Sequence, residues 1–155
     1  MLTVSKLLTD PHGSATERLI LPFELRQKSR LRARLESGAE IGLFLERGTL
    51  LRGGDLLLAE DGAVIEVIAA LERVSTVRAR ALRDLTRAAY HLGNRHMPLQ
   101  VGDAWLRYLH DHVLDDMVRG LGLDVIVEEA PFEPEAGAYG GHSHGYGFAK
   151  APLKL

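Results

Sequence analysis

Up to residue 70 the apolar positions come in short runs separated by turn residues. Glu17 to Leu21 is one such run, closed by Pro22. Arg30-Leu31-Arg32-Ala33-Arg34-Leu35 alternates strictly, which predicts a strand with arginine on one face and apolar side chains on the other. After the turn at Ser37-Gly38, Ile41 to Glu46 is a further apolar run. Leu56 to Ala59 is flanked by Gly53-Gly54-Asp55 and Glu60-Asp61-Gly62, both turn clusters, and Val64 to Ala69 is β-branched. Short strands at this spacing predict a small sandwich or barrel.

The pattern changes near Ala70. Glu72 to Val77 reads as a strand. Leu82, Leu85, Ala89 and Leu92 then recur at helical spacing, and Gly93-Asn94 supplies the residues that end a helix. Pro98 to Val101 and Ala104 to Leu109 read as strands joined by Gly102-Asp103. Asp111 is placed to cap the next helix, whose apolar face is Val113, Leu114, Met117, Val118 and Leu121. Leu123 to Val127 is a last strand. The order β-α-β-β-α-β is the ferredoxin-like arrangement. The predicted class is α+β: a small all-β domain over 1–70, a ferredoxin-like domain over 71–130, and a flexible Pro-, Glu- and Gly-rich tail over 131–155.

Composition narrows the function classes. With 46% hydrophobic residues the chain has enough apolar material for a core, and a net charge of −2 excludes a general polyanion binder. The N-terminus lacks the apolar run of a signal peptide, and no stretch reaches the ~18 apolar residues of a membrane span, so the expectation is a cytoplasmic protein without a membrane partner. Arg73, Arg78, Arg80, Arg83, Arg87 and Arg95 form a basic stretch. Trp105 and Tyr108 differ in strand parity, however, so they form no base-stacking platform, and nucleic acid is not an expected partner.

The distinctive chemistry lies in histidine. Six of seven histidines fall between positions 91 and 144, and there is no cysteine. Clustered imidazoles without thiolate suit nickel, zinc or copper(II) rather than an iron–sulfur cluster. His96 falls in a loop after a helix. One imidazole binds metal weakly, but a twofold axis would supply the same residue twice. His110 and His112 flank Asp111 at a strand end and helix start, where the helix dipole favours the neutral, coordinating ring at His112. Spacing leaves open whether these two bind metal or only flank a cap. His91 lies on the polar face near a helix C-terminus, where a structural role fits it better. His142 and His144 sit among glycines, either as a loose accessory site or as part of an inert tail. The G-x-S-x-G match at Gly141 to Gly145 lacks the strand and helix the nucleophile elbow requires. Asp115-Asp116 is no carboxylate pair, because adjacent helical positions diverge by about 100°; one is expected to be solvated and the other to assist the helix start.

Three runs carry a family resemblance: Tyr90-His91-Leu92-Gly93-Asn94-Arg95-His96; Leu106-Arg107-Tyr108 leading through His110-Asp111-His112 to Met117; and Pro131-Phe132-Glu133-Pro134-Glu135-Ala136-Gly137-Ala138-Tyr139. With these the chain resembles the UreE family of urease accessory proteins, nickel metallochaperones. The resemblance implies an N-terminal β domain that engages partners and a ferredoxin-like domain that forms a homodimer. It implies nickel(II) as cargo, held by His96 from both subunits, with His110 and His112 as secondary ligands. The implied partners are the urease accessory GTPase and the urease apoprotein assembly complex, and no catalytic turnover is implied. Zinc(II) or copper(II) would bind the same ligands in vitro. The short tail departs from the histidine-rich ends of many members. The competing readings are a cytoplasmic zinc- or copper-binding regulatory or buffering protein, a metal hydrolase, and a scaffold with incidental histidines.

Overall fold

The computed structural model describes residues 1–9 and 14–137. The chain divides into two compact units, one built on Met1–Ala69 and one on Ala70–Glu135. No helix among the described residues is long and apolar enough to cross a membrane.

The first unit is a six-stranded sheet. Its strands are β1 (Leu2–Leu8), β2 (Glu17–Leu21), β3 (Arg30–Arg34), β4 (Glu40–Phe44), β5 (Leu56–Ala59) and β6 (Val64–Ala69), in the order β2-β6-β5-β1-β4-β3. The edges approach each other where Glu36 N–H donates to Arg18 O at 2.9 Å, so the sheet is nearly closed. Its core includes Val4, Leu19, Ile41, Leu43, Leu57, Ile65 and Val67. The alternation in β3 holds: Arg30, Arg32 and Arg34 are exposed, and Leu31 and Ala33 pack against the core. Arg32 and Arg34 both bridge Glu40, at 2.9 and 3.1 Å.

Strand β1 was not among the predicted elements, and the reason is local. Its register against β5 shifts between Val4 and Lys6. Leu2 and Leu7 therefore both meet the core although they differ in parity, and no alternating pattern is left to read. A single helical turn, α1 (Phe23–Arg26), is a second addition. Its Arg26 is fully buried, and the guanidinium donates to the carbonyls of Leu21 at 3.1 Å and Leu51 at 3.2 Å.

The second unit contains β7 (Leu71–Arg78), α2 (Leu82–Gly93), β8 (Gln100–Gly102), β9 (Trp105–Leu109), α3 (His112–Gly120) and β10 (Val125–Pro131). The strands run β10-β7-β9-β8, all neighbours antiparallel, which is the ferredoxin-like order. Val77, Leu106 and Tyr108 on one sheet face pack with Leu85, Ala88, Leu92 and Val118 of the two helices. Two predicted face residues fall outside this core: Leu82 is 79% exposed and Val113 is 52% exposed. Both lie in first turns, where the helix has not yet reached the sheet. The β8–β9 connection is Asp103-Ala104 rather than Gly102-Asp103, because Gly102 pairs with Trp105. A Cβ at Gly102 would meet the indole Cε2 at 1.9 Å, so glycine is required by the close approach of that ring.

The last strand lies later than Leu123 to Val127, since Gly122 takes φ 90 and Leu123 turns into the core before β10 begins. The segment expected as a loose tail from Pro131 is held at its start. Pro131 still pairs with Leu71, and Phe132 is fully buried. Glu133 N–H then donates to Gln100 Oε1 at 3.0 Å and Glu135 N–H to Leu99 O at 2.8 Å. Gln100, Thr76 and Arg107 share the sheet face away from the helices, so this strap crosses that face from the β10 edge to the β8 edge. Arg107 fastens it: Nε donates to Thr76 Oγ1 at 3.0 Å, Nη1 to Pro131 O at 3.5 Å, and the guanidinium lies 4.5 Å from the Trp105 ring centroid. Phe132→Ala is expected to destabilise the protein by about 3–5 kcal/mol, as for other buried aromatics. Chemical denaturation measures this, and a surface-like change below about 0.5 kcal/mol would contradict the strap.

Candidate metal centre

The histidines picked out by the sequence occupy two places in the second unit. His96 follows α2, which closes with three successive bonds: Asn94 N–H to Tyr90 O, Arg95 N–H to Leu92 O and His96 N–H to Gly93 O, each 3.1 Å. His96 then adopts φ 55, in the left-handed region. The reversal lets Met97 and Leu99 pack back against the core. Glycine takes this conformation at no steric cost, whereas another residue gives up about 1–3 kcal/mol. A histidine here runs against the backbone's preference, and the residue is exposed. Arg95 Nε donates to Met117 Sδ at 3.2 Å and links the loop to α3.

His110 follows β9, and its N–H continues the ladder by donating to Arg73 O at 3.1 Å. The ring is half-buried. Its Nδ1 lies 3.1 Å from Asp115 Oδ2 and 3.2 Å from Ser75 Oγ. The other carboxylate oxygen, Asp115 Oδ1, accepts a 2.7 Å hydrogen bond from Tyr108 Oη. Asp115 is 1% exposed and Tyr108 fully buried, so the polar chain runs from the core out to the half-buried His110. Asp111 caps α3 as predicted, its Oδ1 accepting from Val113 N–H at 2.8 Å and Leu114 N–H at 3.3 Å. His112 opens the helix and is exposed. His91 is half-buried on α2, edge-on to Tyr90 with ring centroids 5.3 Å apart. His142 and His144 lie outside the described residues.

Asp115 was the residue sequence reasoning misjudged. Its neighbour Asp116 is solvent-facing and sits 3.7 Å from Arg119, as expected for one of the two. Asp115 does more than assist the helix start. The signal was available: Asp115 precedes buried Val118 by three positions, and Tyr108 follows buried Leu106 by two, so both side chains point inward. Trp105 lies on the opposite sheet face from Tyr108, in keeping with their parity.

Among the described residues no three His, Cys, Asp or Glu side chains converge as a ligand set within one chain. The arrangement offers instead an exposed imidazole on a fixed turn and a second imidazole tethered through one nitrogen. The fold and site define a two-domain protein whose ferredoxin-like half presents single histidines at its surface. Two sequence models of one family cover nearly all of it: "UreE urease accessory protein, N-terminal domain" matches residues 4–70, and the corresponding C-terminal domain matches residues 72–151. The urease accessory protein UreE of Alkalilimnicola ehrlichii is 60% identical over 141 residues, 91% of this chain and 86% of that one. The UreE proteins of Cupriavidus necator and Pseudomonas putida GB-1 are each 56% identical, over 94% of this chain and 80% and 90% of theirs. The chain belongs to the UreE family of urease accessory proteins, which are chaperones of urease maturation and not enzymes.

Burial, and then the neighbouring Asp115, push the Tyr108 phenol well above its ordinary range. The neutral phenol is thus favoured by folding, and the associated stability is complete below the unfolded tyrosine value. It is lost as pH rises above about 10. Alkaline titration followed by tyrosinate absorbance should show Tyr108 ionising together with unfolding, and Tyr108→Phe should remove that late step. The same variant is expected to cost about 1–3 kcal/mol, because Asp115 loses a buried donor.

Proposed function

We propose that the protein is a nickel metallochaperone, binding nickel(II) as cargo between two copies of itself and donating it during urease metallocentre assembly. The observation that carries the reading is His96: an exposed imidazole held at φ 55, where the backbone alone would favour glycine. A lone imidazole is a weak ligand. A twofold axis through this turn brings two together and leaves the remaining positions to water or to an acceptor protein. A seam of that kind excludes little and releases readily, as transfer requires.

His110 and His112 form secondary positions at the start of α3, and His91 and the tail pair His142 and His144 are accessory. The receiving partners are the urease apoprotein assembly and its accessory GTPase, and the exchange takes place in the cytoplasm. Zinc(II) and copper(II) occupy the same imidazoles in vitro, copper(II) more tightly by its place in the affinity order. Selectivity therefore comes from partners and metal supply. A buffering protein would share the ligands but would not hand metal to apo-urease.

The tightest nickel is expected at one ion per dimer, measured by equilibrium dialysis with mass determination. Binding should weaken on acidification, since only neutral imidazole coordinates. His96→Ala should lose this site and urease activation while keeping its circular dichroism spectrum. Full nickel affinity in folded His96→Ala protein would refute the assignment.

A further inference from the structure

We propose that Asp115 is the positioning residue of the His110 site: its buried carboxylate fixes the tautomer of His110, so that the ring presents Nε2 as its metal-binding nitrogen. This deepens the nickel reading above and rests on it for the identity of the ligand.

The geometry specifies the proton. An ionised carboxylate is an acceptor only. Asp115 Oδ2 stands 3.1 Å from His110 Nδ1, where a bare lone pair would face the negative carboxylate, so the contact favours a hydrogen on Nδ1. In the neutral ring the lone pair then lies on Nε2, across the ring from the buried carboxylate. Ser75 Oγ, 3.2 Å from the same Nδ1, has a hydroxyl that rotates to suit and does not oppose this arrangement. Tyr108 supplies the directionality. Its hydroxyl donates to Asp115 Oδ1 at 2.7 Å, holding the carboxylate plane and leaving Oδ2 for the imidazole. The members come from three places: Ser75 on β7, Tyr108 on β9 with His110 just past its end, and Asp115 on α3. A metal-ligating histidine whose other nitrogen donates to a carboxylate is a recurrent arrangement, and the carboxylate raises the basicity of the ligand. His96 is placed instead by its backbone conformation.

The chain makes a specific prediction for Asp115→Asn. Tyr108 still donates to the one remaining oxygen, which turns the amide nitrogen toward His110. That NH2 is a donor, so Nδ1 must accept and the hydrogen moves to Nε2, which blocks coordination. A variant that merely loosened the core would not switch the tautomer.

The test uses the full-length, metal-free protein with 15N-labelled histidine at pH 8. Long-range 1H–15N correlation spectra distinguish the two ring nitrogens, and His110→Gln assigns the signals. His110 is expected as the Nδ1–H tautomer in the wild type and as Nε2–H in Asp115→Asn. Nickel titration of the same proteins should show the His110-dependent site weakened about 10- to 100-fold in Asp115→Asn, with the His96-dependent site unchanged. A wild-type His110 that is Nε2–H, or protonated on both nitrogens, overturns the proposal. So does a folded Asp115→Asn protein that keeps Nδ1–H. If Asp115→Asn does not fold, the wild-type tautomer decides by itself. Nickel binding unaffected by His110→Gln would remove His110 from the ligands while the tautomer result stood, so failure of the nickel reading is separable from failure of the clamp.

Discussion

Asp115 is taken out of water at the first turn of α3, and a buried carboxylate without partners would cost several kcal/mol. Tyr108 and His110 satisfy it from β9. The three residues therefore have to be assembled together. Formation of the bonds sets how α3 sits against the sheet, and with it the start of the helix where His112 and the Asp111 cap lie. In the low dielectric of the core this chain is worth keeping only when complete. The same requirement that the carboxylate be satisfied engages one nitrogen of His110.

His96 is placed by other means. Its side chain is exposed, and the left-handed turn after α2 directs it, with Met97 and Leu99 anchoring the far side. Two histidines of one domain are thus presented by two devices, one a backbone conformation and the other a buried acid. The first suits a ligand shared across a symmetry axis, because an exposed side chain on a rigid turn meets its copy without rearranging the core. The second suits a ligand whose orientation must be set within a single chain.

The first unit solves a different problem. A small, nearly closed sheet has little room for polar groups, yet Arg26 lies fully buried within it. Its guanidinium donates to carbonyls of Leu21 and Leu51, and so ties together groups far apart in sequence. Outside, the arginines of β3 face solvent on an edge strand, where charge opposes pairing with another chain. Arg32, by hydrogen bond and charge, holds the Glu40 carboxyl below its ordinary range.

The alternation in β3, the helical spacing of α2 and α3, the β-α-β-β-α-β order and the Asp111 cap were legible in the sequence, because each depends on residues close along the chain. The run ending in His96 was likewise enough to mark the metal-binding candidate and the family. Strand β1 was hidden by its bulge, and the strap from Phe132 to Glu135 was hidden because Pro and Glu composition reads as loop until the partners Leu99, Gln100 and Arg107 are in place. Asp115 looked like an ordinary acid in a first turn. Its burial, and its bonds to Tyr108 and His110, exist only once α3 has docked on the sheet. Local pattern determined which elements form and which residues are the candidates for metal binding. Tertiary packing decided which polar groups leave water, and so which nitrogen of His110 faces Asp115 and Ser75.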